Sequence, residues 1–260
     1  MERGVSMSLF GRSYEEYDFN MFSVSHFSVL VLLAVIVCGL YIYRDRLNSS
    51  RFRQAEIGTA VFLLAIEVLY HIWLFTNGSW RIRHALPLEL CSISLYLAVV
   101  LLISGKKNAY DILLFTGLLG ASQALFTPYL HYDFPHFRFF HFFAVHLLVF
   151  CIPLYFTWVK GFRPTIDSVF KTMIFLNVLM PFVMIVNKFT GGNYLFLSHK
   201  PESASLLDLL GPHPWYIVSL ELLAFSLSLV IWLLLRKREK NTSENEWMMK
   251  GVKESKKRSG

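Results

Sequence analysis

Seven long apolar runs, separated by short polar stretches, set the pattern of the chain: 25–43, 55–75, 86–103, 111–126, 137–158, 168–186 and 214–235. A helix needs about 20 apolar residues to cross the hydrocarbon core of a bilayer, and somewhat fewer inside a packed bundle. The pattern predicts an all-α polytopic transmembrane bundle of seven spans, with 111–126 the shortest. In this reading residues 1–24 are an extracytoplasmic segment, 25–235 the helical domain and 236–260 a basic, disordered cytoplasmic tail. No internal repeat and no soluble domain interrupts the series.

Composition points the same way. Of 260 residues, 55% are hydrophobic and 17% charged, whereas soluble domains carry roughly a quarter charged residues and less than half apolar ones. The formal charge of +7 sits in short loops and the tail, as topology signals and lipid-headgroup contacts do; nucleic-acid binding is excluded on that ground. The loops 44–53, 104–110 and 159–171, with the tail, hold most of the 25 Lys and Arg. The N-terminus is therefore expected outside and the C-terminus in the cytoplasm of a cell membrane, taken as a bacterial plasma membrane. Mixed charges through Asp18 argue against a cleaved signal peptide. The longest loop, 187–213, is expected to lie at the outer interface, with a lid as its alternative role.

Three cysteines, Cys38, Cys91 and Cys151, each lie within an apolar run, which excludes a disulfide framework and a zinc-type pairing. The series His131, His136, His141 and His146 has a five-residue spacing. That spacing turns about 140° per step on a helix, so the four share no face and make no metal site. Neither a metal nor a cofactor is expected.

Ionisable groups inside spans are costly and are candidate functional groups by default. Glu67 and His71 share a face of the second span. Glu89 and Cys91 fall in the first turns of the third, His141 and His146 in the outer half of the fifth, Asn177 near the middle of the sixth, and Glu221 about two turns into the seventh. Nearly all belong to the outer half of the bundle, as the walls of a polar pocket would. Each has a plainer role: Glu67 and His71 as a helix-to-helix pair, Glu89 reaching the interface, Cys91 as a small packing residue, Asn177 and Glu221 as glue between helices. If the pocket is chemical, Cys91 is the nucleophile and His146 the base that takes its proton. Cys91 would sit about 8 Å inside its helix, below Pro87 in the first turn, within reach of an ester carbonyl near the headgroups.

The segments His84-Ala85-Leu86-Pro87-Leu88-Glu89-Leu90-Cys91, Ala124-Leu125-Phe126-Thr127-Pro128, Phe134-Pro135-His136-Phe137-Arg138 through His146, Gly192-Asn193-Tyr194 and Asp208-Leu209-Leu210-Gly211-Pro212 resemble the YwaF-like bacterial integral membrane proteins. That family is similar to a vertebrate membrane acyltransferase of ether phospholipids. More distantly it resembles androgen-induced membrane hydrolases of fatty-acid esters, which use threonine where this chain has Cys91. The resemblance implies acyl transfer or ester hydrolysis on membrane lipids, with Cys91 at the nucleophile position and His146 at the histidine position. Glu67, His71, Glu89, His141, Asn177 and Glu221 are then candidates for binding the substrate. Two other readings of the same residues are a small transporter with a Glu67, His71, Glu89 and Glu221 relay, and a non-catalytic membrane scaffold.

Overall fold

The computed structural model of the chain describes residues 9–11, 18–200 and 206–237. Most of the N-terminal segment and the basic tail from residue 238 onward lie outside the described residues. The described chain is helical: α1 Val24–Ile42, the single turn α2 Arg44–Leu47, α3 Arg53–Thr76, α4 Leu90–Ser104, α5 Lys107–Phe126, α6 Phe137–Trp158, α7 Ile166–Thr190 and α8 Trp215–Leu235. Extended pairing among the described residues is limited to one isolated antiparallel bridge, Asp18 with Tyr132.

Local signals explain the helix limits. Ser23 caps α1 by accepting the His26 N–H, and Thr165 and Ser168 form a reciprocal capping box at the start of α7. Gly105 and Gly191 end α4 and α7 in the left-handed conformation that only glycine adopts freely.

Six helices are long and apolar enough to cross a membrane: α1, α3 with the turn before it, α5, α6, α7 and α8. The remaining one of the seven expected runs forms a shorter apolar helix, Leu90–Ser104. The run at 86–103 yields only the 15 residues of α4, about 22 Å of helix against a hydrocarbon core of about 30 Å. The run at 111–126, expected to be the shortest, belongs to a 20-residue helix that begins four residues earlier. Lys107 and Asn108, expected in the 104–110 loop, form its first turn ahead of Asp111.

α5 is the axle of the bundle and packs against α4, α6 and α7. Tyr110, Leu113, Leu114 and Phe115 of α5 are fully buried with Leu63 of α3, Leu95 of α4 and Val149 of α6. α1, α7 and α8 are peripheral and leave Val35, Ile174, Val178, Phe189, Leu222 and Leu234 exposed, as lipid-facing helices do. Between apolar helices in lipid, close packing replaces the hydrophobic drive. The tightest crossing shows how: a Cβ on Gly117 would lie 2.8 Å from the Val149 carbonyl. Pro153, four residues on, lacks the N–H that would otherwise bond that carbonyl.

One end of the bundle is laced by ion pairs. Glu56 pairs with Arg53 at 2.8 Å and Lys160 at 2.6 Å and accepts the Tyr155 hydroxyl at 2.7 Å. Asp111 pairs with Lys107 and with Lys171 at 3.0 Å and accepts Ser168 Oγ at 2.7 Å. These ties join α3 to α6 and α5 to α7. The opposite end carries the start of α4 and the groups described next.

Candidate functional site

The late start of α4 sets the position of Cys91. The Tyr194 hydroxyl accepts the Leu86 N–H at 2.9 Å and donates to the Ile82 carbonyl at 2.6 Å, which fixes 82–86 outside a helix. Pro87 disfavours helical geometry at Leu86, and Glu89 is extended at φ −71°, ψ 147°. Pro87 therefore precedes the helix rather than opening its first turn, and Cys91 is the second helical residue. Glu89, the N-cap, makes no side-chain cap bond, so it leaves the first-turn N–H groups around Cys91 without that acceptor. Its carboxylate instead accepts the Leu195 N–H at 3.2 Å.

The loop that holds this entrance is tightly built. Asn187 bonds both backbone groups of Tyr194, donating to its carbonyl at 3.0 Å and accepting its N–H at 2.9 Å. Tyr194 is buried among Leu86, Leu88, Leu179 and Val183. A Cβ on Gly192 would meet the Arg83 carbonyl at 2.7 Å. Leu195 and Phe196 both have positive φ, 58° and 52°, a conformation disfavoured for side chains of this kind. Strain of this sort persists only where its surroundings hold it, and it clusters at functional sites.

Cys91 and His146 come to the same level of the bundle. A Cβ on Gly120 of α5 would lie 3.7 Å from Cys91 Sγ, so the bare glycine backbone borders the thiol. Gly120 lies one turn beyond Gly117, at the α5–α6 crossing, and His146 lies one turn beyond Val149, the partner in that crossing. α5 and α6 run antiparallel, so both steps lead toward the same end, by about 4.5 Å each. α4 packs on both helices, and Ser94 bonds Thr116 at 3.0 Å one turn further in. His146 is buried, and its Nδ1 bonds the Phe142 carbonyl at 2.6 Å. A carbonyl only accepts, so Nδ1 carries the hydrogen and a neutral ring keeps its lone pair on Nε2. Among the described residues Cys91 makes no hydrogen bond.

Beside His146 lies a second polar cluster. Arg138 donates to His141 Nδ1 at 2.8 Å, and His141 Nε2 bonds Glu67 Oε2 at 3.2 Å. Since arginine has only donors, His141 must carry its hydrogen on Nε2 and donate it to Glu67. The other carboxylate oxygen lies 3.8 Å from His71 Nε2. Tyr70 stacks on His141 at 4.4 Å and receives the Arg138 guanidinium on its face at 4.2 Å. The N-terminal segment closes over the top: the Phe10 carbonyl accepts Trp73 Nε1 at 2.9 Å, and the Gly11 carbonyl accepts His136 Nε2 at 3.0 Å.

The profile of the TMEM164 family, a family of membrane proteins, matches residues 21–233. The chain belongs to the TMEM164 family. No curated protein and no solved structure matches it. With six apolar helices of crossing length, this family member is a multi-pass membrane protein.

The remaining candidate residues disperse. Asn177 of α7 bonds Glu221 of α8 on a seam away from the α3–α6 cluster. Glu89 belongs to the loop before α4. The relay imagined for a transporter is thus divided among three places. Among the described residues no group of three or more His, Cys, Asp or Glu is disposed to hold a metal ion. Arg138 was not singled out in the sequence, although its spacing of three from His141 on one helix was a legible signal. Gly120 had no signal at all, because its place beside Cys91 depends on the α4–α5 register.

Proposed function

We propose that this TMEM164 family member is a membrane-embedded lipid acyltransferase or lipid-ester hydrolase with Cys91 as nucleophile and His146 as base. The observation that supports it is the common level of the two residues, one turn from the Gly117–Val149 crossing toward the same end, with His146 Nε2 left as an acceptor. His146 Nε2 takes the Cys91 proton and the sulfur attacks the ester carbonyl of a lipid. The C–O bond breaks, the leaving alcohol regains the proton from His146, and the acyl group remains on Cys91 as a thioester. A lysolipid hydroxyl or water then gives its proton to His146 and attacks the thioester, and the departing thiolate recovers that proton. The uncapped first turn of α4 offers backbone N–H groups to the developing oxyanion. Glu67, His71 and His141 form the polar wall beside the base, Glu89 holds the loop at the mouth, and Asn177 and Glu221 tie α7 to α8.

The lipid site faces the outer leaflet in this reading, with the N-terminus outside and the ion-paired end in the cytoplasm. The test is acyl transfer or fatty-acid release in phospholipid vesicles containing purified protein. Cys91→Ala and His146→Ala each lower the rate by about a thousandfold or more, as loss of one member of a catalytic unit does. Wild-type rates in both variants would refute the assignment.

A further inference from the structure

Glu221 of α8 is an acidic side chain inside a span to which the reaction just proposed gives only a structural part. Glu221, Phe225, Ser228 and Trp232 repeat at helical spacing and share one face of α8. Phe225 and Trp232 pack on the main core and Ser228 is buried, so this is the inward face, and a carboxyl group on it is costly in lipid. Among the described residues no cation meets Glu221 as cations meet Glu56 and Asp111. Its side chain takes one bond, at Oε1 from Asn177 Nδ2; that amide also donates to the Met173 carbonyl at 3.0 Å. Asn177 therefore orients the carboxyl group and leaves Oε2 as an acceptor without a donor. Two apolar clusters fix its level. Toward the end where α4 begins, Leu88, Leu179 of α7 and Ile217 of α8 belong to one cluster. Further in, Leu95 of α4, Leu118 of α5 and Phe225 belong to the main core. Cys91 lies between Leu88 and Leu95, Glu221 between Ile217 and Phe225, about 6 Å inward of Ile217, and Asn177 two residues inward of Leu179. The pair shares the layer of Cys91, on α7 and α8, as His146 does on α6.

We propose that Glu221, oriented by Asn177, is the positioning residue for the water that hydrolyses the Cys91 thioester, which makes fatty-acid release the outcome this chain favours. The inference rests on the Cys91/His146 reading. A thioester can be opened by an alcohol or by water, and the two differ in their hydrogens. The alcohol oxygen carries one, which His146 Nε2 must take. Water carries two, and away from bulk solvent the second also needs an acceptor. Glu221 Oε2 is that acceptor, so the bound water donates one hydrogen bond to Oε2 and the other to His146 Nε2. Its oxygen attacks the thioester carbonyl as His146 takes the proton on its side. The C–S bond then breaks, the Cys91 thiolate recovers that proton from His146, and the hydrogen facing Glu221 stays on the fatty acid. A tether role, in which Asn177 and Glu221 only join α7 to α8, is the alternative.

The experiment supplies protein in phospholipid vesicles with a low concentration of methanol and measures fatty acid, fatty-acid methyl ester and hydroxylamine-sensitive acyl-Cys91 together. Methanol has a single hydroxyl hydrogen and does not require Glu221. Glu221→Gln sets an NH2 donor where Oε2 accepted. It is expected to lower fatty-acid release about 10- to 100-fold and to leave methyl-ester formation within about twofold, so the ester-to-acid ratio rises by the same factor. Without methanol, acyl-Cys91 accumulates in this variant. Asn177→Ala keeps the carboxyl group but frees its orientation, and should raise the ratio several-fold; it carries the decision if Glu221→Gln does not fold. The tether role predicts that both products fall together at an unchanged ratio, and that result overturns the proposal. Acyl-Cys91 missing from both wild type and Glu221→Gln would bring down the Cys91/His146 reading, and the water site with it. Acyl-Cys91 present in both at an equal product ratio would bring down the water site alone.

Discussion

The two ends of the bundle solve the cost of buried charge in opposite ways. At one end Glu56 and Asp111 are each met by two cations and a hydroxyl, so that losing any single contact leaves others. At the other end Glu67 is shared by two imidazoles, and one arginine balances it through His141 rather than directly. There the backbone also holds two consecutive residues at positive φ, and α4 begins deep, behind a non-helical approach. The first arrangement is held by several independent ties; the second depends on a few bonds shared through imidazole rings. A clamp is over-supplied with partners, whereas the site proposed for Cys91 and His146 would have to keep some capacity unspent.

The largest effect that would sharpen this contrast is at the clamp. Asp111→Ala leaves Lys107 and Lys171 facing each other across a buried Ser168. The two lysines are nearly half exposed, so the loss is put at about 2–3 kcal/mol, below the usual figure for a fully buried pair. Thermal unfolding should detect it, while acyl transfer per folded molecule stays unchanged. An activity loss at full stability would break the division between the ends.

Next come the two glycines of α5, which lie one turn apart. Gly117→Ala pushes a methyl group into the Val149 carbonyl and is expected to cost about 1–3 kcal/mol in unfolding measurements. Gly120→Val faces the Cys91 thiol instead, where a Cβ finds ordinary contact distances. It should slow maleimide labelling of Cys91 several-fold with a smaller stability loss. Equal effects from both on both measurements would remove Gly120 from the site.

The smallest effect concerns His136, outside the spans. Burial, aided by the Arg138 charge, pushes it below its ordinary value of 6.5. A histidine depressed in the folded state contributes stability that is present above pH 6.5 and lost as pH falls below it. Protonation also removes the Nδ1 acceptor that caps the Arg138 N–H at 3.1 Å, worth about 1 kcal/mol. Amide exchange at the start of α6 should quicken between pH 7 and 5 in wild type and be pH-independent, beyond intrinsic exchange, in His136→Asn.

Much of the fold was legible because an apolar run of bilayer length allows few other outcomes. α6 begins and ends where the pattern put it, and α1, α3 and α8 do so within a turn or two. What failed were positions decided by contacts remote in sequence. α4 starts at Leu90 because Tyr194, more than a hundred residues away, holds Leu86. α5 starts at Lys107 because Lys107 and Lys171 offset Asp111 inside the helix. The Glu67–His71 face was readable from spacing; its link to His141 required the rotation of α3 against α6, which no single run encodes. The ion-paired clamp was half legible: Arg53–Glu56 and Lys107–Asp111 follow helical spacing, but Lys160 and Lys171 arrive from other helices.

The most direct measurement of the central claim is peptide mass spectrometry of the wild-type protein after incubation in phospholipid vesicles, with and without hydroxylamine. Cys38 is exposed and Cys151 buried, so both serve as internal controls for indiscriminate acylation. The account predicts a hydroxylamine-sensitive acyl mass on the peptide carrying Cys91, absent in His146→Ala. An unmodified Cys91 in folded, lipid-exposed protein, or acylation distributed to Cys38, would contradict it.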